Sequence, residues 1–178
     1  WNGARQRVPF EDGEARVGAS APSSDALRKR ANLQGPISDV VNTPFMVVLG
    51  TSSRDGPMRK VIERHARDLA DLWLAWQHHP LRFKRDVEVT REDERDYSLI
   101  LLGGPDANAV TRRLAKRLPL KVTRDAIEID GKRWQVSDAV LQLIYPSPAA
   151  AHRYVLVVAG TSAQGMALWK PTILDPSI

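Results

Sequence analysis

Three apolar runs in this 178-residue chain end on glycine and small polar residues, which is where chemistry could sit. Pro44 to Gly50 (PFMVVLG) leads into Thr51-Ser52, and Tyr97 to Leu102 (YSLILL) leads into Gly103-Gly104-Pro105-Asp106. Tyr154 to Ala159 leads into Gly160-Thr161-Ser162. In an open α/β sheet, ligands bind where carboxyl ends of strands meet helix N-termini. Glycine lets backbone approach closely there, and free N–H groups favour an anion. The expected ligand-contacting set is Thr51, Ser52, Gly103, Gly104, Asp106, Asn108, Gly160 and Thr161, with a small anionic ligand as their partner. The competing reading is that glycine only turns the chain off each strand and Asp106 caps a helix.

Sharper motifs fail. A phosphate loop needs G-x-x-x-x-G-K-[ST], but Gly50 and Gly56 are one residue too far apart and Pro57 follows where the lysine belongs. No G-x-G-x-x-G occurs. Gly160-Thr161-Ser162-Ala163-Gln164-Gly165 is one residue too long for a nucleophile elbow, G-x-S-x-G. Ser162 with His152 as base, or Ser52 or Ser53 as nucleophile, is carried as a small-hydrolase alternative. His65, His78, His79 and His152 show no metal-ligand spacing, and no metal or cofactor is expected. Cysteine is absent, which excludes disulfides, thiolate metal sites and a cysteine nucleophile.

The elements that would hold these loops alternate between strand and helix. Met58 to His78 reads as a helix whose buried face is Ile62, Ala66, Leu69, Trp73 and Trp76. Asp86 to Thr90 reads as a short strand, and Thr90 to Asp93 as a capping box opening the mixed-charge turn 91–96. A helix is expected from Ala107 to Leu118, stopped by Pro119. Ile127–Ile129 and Arg133–Val136 flank Asp130-Gly131, a hairpin turn. It is expected as an insertion at a sheet edge. Leu120–Val122 and Val140–Tyr145 read as further strands. The fold class is therefore α/β, Rossmann-like or flavodoxin-like, with a mainly parallel sheet covered by helices. Upstream, 1–20 is read as a hairpin appendage turning at Asp12-Gly13, 21–32 as a Ser/Ala-rich linker, and 33–178 as the domain.

Composition is that of a globular domain, 43% hydrophobic and 26% charged. No run is apolar enough for a membrane span, so no membrane contact is expected. The formal charge of +5 would suit an acidic partner, but the basic residues are scattered over helix faces and nucleic acid is not expected. The chain starts without Met or a signal peptide and is read as part of a longer polypeptide; its composition does not fix the compartment, and an extracytoplasmic location is one expectation.

The elements Leu27-Arg28-Lys29-Arg30, Gly35-Pro36-Ile37-Ser38-Asp39, Gly103-Gly104-Pro105-Asp106-Ala107-Asn108 and Arg153-Tyr154-Val155 with Ala159-Gly160-Thr161-Ser162 carry a resemblance. Over Leu27 to Gly160 the chain resembles the C-terminal accessory domain of large bacterial prolyl oligopeptidase-like α/β-hydrolases. It departs from that pattern at Ser38, Gly104, Ala107 and Thr161. The resemblance implies a non-catalytic domain of a peptidase or esterase. Its partner would be the catalytic domain of the same polypeptide, which would hold the Ser, Asp and His.

Overall fold

The computed structural model describes residues 33–171, together with the paired backbone of 10–11 and 14–15. Those two short strands, β1 (Phe10–Glu11) and β2 (Glu14–Ala15), pair antiparallel with Phe10 opposite Ala15, as a hairpin at this place requires. The expected Asp12-Gly13 turn and the linker 21–32 lie outside the described residues.

The main sheet is built on β3 (Phe45–Leu49) and β5 (Ser98–Leu102). Both are near-continuous apolar runs because helices cover both their faces. With β4 (Phe83–Arg85), β9 (Val140–Pro146) and β10 (Tyr154–Gly160) they form five strands in the order β4-β3-β5-β10-β9. The first four are parallel, and β9 runs antiparallel at the edge. The sheet is therefore mixed.

The Asp130-Gly131 hairpin forms as its sequence dictates, between β7 (Ala126–Ile129) and β8 (Lys132–Gln135). Both turn residues take positive φ, 48° and 79°. It is not an insertion at the edge of the main sheet, however. It pairs with β6 (Leu120–Val122) to make a separate three-stranded antiparallel sheet, order β6-β7-β8.

One face of the main sheet packs Val47, Ile100, Leu102, Leu156 and Val158 against α1 (Gly56–Gln77), α4 (Ala163–Ala167) and the 310 helix Ile37–Val41. The other face packs Met46, Val48, Leu99, Leu101, Val155 and Val157 against α3 (Ala109–Leu114) and against Leu118 and Leu120.

Helix α1 starts where Asp55 accepts from Met58 N at 3.4 Å, with Pro57 in the first turn, and ends on His78 in the left-handed region. Ile62, Ala66, Leu69 and Trp73 face inward as their spacing predicts. Trp76 does not, being 43% exposed, because the sheet has ended by that turn. The segment 91–96 is not a solvated turn but a short helix, α2 (Arg91–Asp96). Thr90 and Asp93 form the capping box, and buried Asp93 and Glu94 are held by Lys84 and Arg113.

His65 joins α1 to α4. It is 3% exposed, its Nε2 lies 2.9 Å from the Met166 carbonyl, and its ring meets Trp169 edge-on. Its Nδ1 is buried without a hydrogen-bond partner, and the nearest carboxylate, Asp68, is 4.0 Å away. Burial pushes the ring below its ordinary pKa of 6.5, against the Met166 contact that raises it. A depressed histidine stabilises the fold fully above its unfolded value, and that contribution is lost as pH falls below about 6.5. Thermal melts are expected to drop between pH 7 and 5, with a smaller drop in His65→Gln, whose amide can still donate to Met166. An equal drop in both proteins would place the sensitivity elsewhere.

Candidate functional site

The loops after β3 and β5 converge on the N-terminus of α3, at the point where the chain order of the parallel strands changes direction. The expected meeting of hydroxyls and N–H groups around an anion is present, but the anion is the protein's own. After β4 the chain turns into a 310 helix, Asp86–Glu88, instead of the expected strand, and this carries the Asp86 side chain under both loops. Its Oδ1 accepts from Thr51 N (3.1 Å), Thr51 Oγ1 (2.5 Å) and Val87 N (3.1 Å). Its Oδ2 accepts from Ser52 Oγ (2.7 Å) and Ala109 N (2.7 Å), the first amide of α3. Asp86 is 2% exposed. Burial pushes its carboxyl up, but the bonds from Thr51, Ala109 and Ser52 outweigh that and hold it below the ordinary carboxylate value.

Asn108 supplies the second half of the junction. It is fully buried and uses its whole amide. Its Oδ1 caps α3 by accepting from Val110 N and Thr111 N, and its Nδ2 donates to Val48 O and Leu102 O at the ends of β3 and β5. The cap is thus Asn108, and Asp106, exposed on the preceding turn, is not the capping residue.

The strand-end glycines let chain pass chain. A Cβ on Gly50 would lie 2.6 Å from the carbonyl oxygens of Leu102 and Ala107, and one on Gly160 would lie 2.5 Å from Met166 N. Gly103 donates its N–H to Val158 O and takes the Thr111 hydroxyl on its carbonyl. Gly104 O accepts from Ala107 N and Asn108 N.

The third loop lies apart from this junction. Thr161 is buried, its hydroxyl donating to Ser137 O at 2.5 Å and accepting from Ala139 N. Ser162 caps α4 by accepting from Gly165 N and donates to Asp138 Oδ1. Thr161 and Ser162 line a shallow open depression with Arg54, Asp55 and Arg124.

Of the eight expected ligand-contacting residues, Thr51, Ser52, Gly103, Gly104 and Asn108 meet at the Asp86 junction. Gly160 ends β10 and Thr161 follows it against Ala139, away from the junction, and Asp106 is exposed.

Ser162 and His152 stand at opposite ends of β10. At about 3.3 Å per residue that strand separates them by roughly 20 Å. Among the described residues no histidine bonds to Ser52, Ser53 or Ser162; Ser52 is held by Asp86, and Ser53 takes the Asp55 amide. No group of three or more His, Asp or Glu able to hold a metal occurs among the described residues.

Sequence reading missed Asp86 and Tyr154. Tyr154 Oη accepts from Gly35 N at 3.0 Å and donates to Asp39 at 3.2 Å. The first and last elements of the hydrolase-like pattern thus touch one another and anchor the 310 helix Ile37–Val41 to the sheet.

A search of curated proteins finds no match to the sequence. A family model, described as S-layer like family, outer domain, matches residues 78–168, from the end of α1 to just past α4 and just over half of the chain. This overturns the resemblance to prolyl oligopeptidase-like hydrolases, and with it the reading of the chain as an accessory domain of a peptidase or esterase. Among the described residues of that pattern, Gly35, Asp39 and Tyr154 fasten a 310 helix to the sheet, a contact that specifies no hydrolase. The chain belongs to the S-layer like family, outer domain.

Proposed function

We propose that this chain is a structural unit of a protein layer at the cell surface, outside the cytoplasm, acting by packing against other protein. The observation that carries this reading, beside the family match, is the closed junction at Asp86. In a doubly wound sheet the switch point is the place for a ligand. Here a buried carboxylate, two hydroxyls and the first amide of α3 already satisfy one another.

The order β4-β3-β5-β10 of the parallel strands supports kinship with doubly wound, flavodoxin-like folds, from which the antiparallel β9 and the second sheet depart. The layer unit is taken to begin near Leu33, which is buried against the main core, with the β1–β2 hairpin and the linker upstream. The matched stretch cannot stand alone, because β3, the strand between β4 and β5, lies outside it.

The test is protease treatment of intact cells that make the protein, followed by detection with an antibody to residues 33–171. Loss of the band without cell lysis is the expected result. A band protected until the cells are lysed, and recovered with the cytoplasm, would overturn the reading.

A further inference from the structure

The strands exposed at sheet edges differ sharply in how they are protected from pairing with another chain. Natural edges are blunted by shortness and by charge, lysine above all. β4 has three residues and carries Lys84 and Arg85. In the small sheet, β8 carries Lys132 and Arg133, and β6 has three residues including Lys121. β9 has neither device. Its seven residues, Val-Leu-Gln-Leu-Ile-Tyr-Pro, hold no charge in a chain that is 26% charged. All seven are half-buried, whereas six of the seven in neighbouring β10 are fully buried.

The register says which groups are free. Thr161 N donates to Ala139 O and Ser147 N to Arg153 O, so the odd-numbered positions of this stretch face β10. Backbone alternation then turns the N–H and C=O of Val140, Gln142 and Ile144 outward. Among the described residues nothing bonds to these outward groups.

We propose that β9 is a docking edge for β9 of a second copy, paired antiparallel across a two-fold axis at Gln142. The strand is self-complementary in this register. Gln142 faces Gln142, and Val140 faces Ile144 on both sides of the axis. Each of these three pairs exchanges two backbone bonds. On the opposite face Leu141 meets Leu143, an apolar cross-strand pair. Beside Gln142 lies Trp169, whose Nε1 donates to Gln142 Oε1 at 2.6 Å, and the adjacent Leu168 is 63% exposed, extending the apolar rim. The two five-stranded sheets become one continuous sheet. An isologous pairing of this kind joins two copies whether or not the protein builds a layer.

The experiment is sedimentation equilibrium of the full chain at physiological ionic strength, beside Gln142→Lys, Gln142→Glu and their equimolar mixture. The chain itself is expected at twice its monomer mass. Either single variant sets like charges opposite each other and should raise the dimer dissociation constant at least about tenfold. The mixture should restore the dimer, which a merely misfolded variant could not do. A monomer at every concentration would overturn the proposal, as would dimers of the variants as tight as the parent. Slow amide exchange at Val140, Gln142 and Ile144 in a monomeric protein would also overturn it, by showing that the chain covers this edge itself.

Discussion

Replacing Asp86 with alanine is expected to cost about 3–4 kcal/mol, a large share of the roughly 5–15 kcal/mol that holds a domain folded. The change removes one carboxylate and strands the donors that surround it. Among the described residues the amides of Thr51 and Ala109 have no other partner, and the Thr51 and Ser52 hydroxyls lose an acceptor that is itself buried. Asp86→Asn should not rescue the loss. Whichever way its amide is turned, an NH2 group meets either Thr51 N–H or Ala109 N–H, donor against donor. Urea unfolding of the three proteins measures this, with the midpoint moving and the slope unchanged. The pH dependence has a definite sign. The folded carboxyl titrates below its ordinary 3.8, so its contribution is complete above that value and is lost as pH falls through the lower folded value. The difference between parent and Asp86→Ala should therefore be constant from pH 5 to 7 and shrink only below about pH 4. A cost under about 1 kcal/mol would mean that water replaces the carboxylate freely and that the junction is open to a ligand.

What was legible in the sequence follows the range of the interactions. β3 and β5 were readable because a strand buried on both faces must be apolar at every position, and the long helix because Ile62, Ala66, Leu69 and Trp73 repeat on one stripe. Trp76 continues that stripe but is exposed, since periodicity says which face is apolar and not where the sheet beneath it stops. The Asp130-Gly131 hairpin was readable from its turn, yet its pairing with β6 instead of the main sheet depends on contacts that no turn encodes. Asp86 was misread for a related reason. The run Asp86-Val87-Glu88-Val89 alternates polar and apolar as a strand does, but four donors from the distant Thr51-Ser52 loop and α3, with the neighbouring Val87 amide, draw the carboxylate inward and the backbone follows into a 310 turn. The hydroxyls of Thr51 and Ser52 are legible at the end of β3, but their acceptor is not, because Asp86 lies 34 residues from Ser52 along the chain. The hydrolase-like pattern misled because Gly35, Asp39 and Tyr154 meet to fasten a 310 helix to the sheet, a need that an α/β domain has whatever its function.

Asn108 gives the companion prediction, with the opposite response to acid. Asn108→Ala removes the α3 cap, worth about 1 kcal/mol, and takes the amide donor from Val48 O and from Leu102 O, which keeps only Gly50 N, at a fully buried position. Together these should cost about 3 kcal/mol. Asn108→Asp separates the two roles. Its carboxylate can still cap α3 through Val110 N and Thr111 N, but its second oxygen faces two carbonyl oxygens where the amide had donated. Ionised, that oxygen is repelled in a dry site, so the new carboxyl is expected to titrate above the ordinary Asp range. A group whose folded pKa is raised adds stability as pH falls, because only the protonated form can donate to one of the carbonyls. Asn108→Asp should therefore be strongly destabilised at pH 7 and regain part of the loss towards pH 5. Over that interval the parent declines through His65, and Asp86 has not begun to titrate. Measuring the difference from parent in urea midpoint at both values separates the cases. If Asn108→Asp shows no gain on acidification relative to parent, the amide is not wedged between β3 and β5, and the junction is held by Asp86 alone.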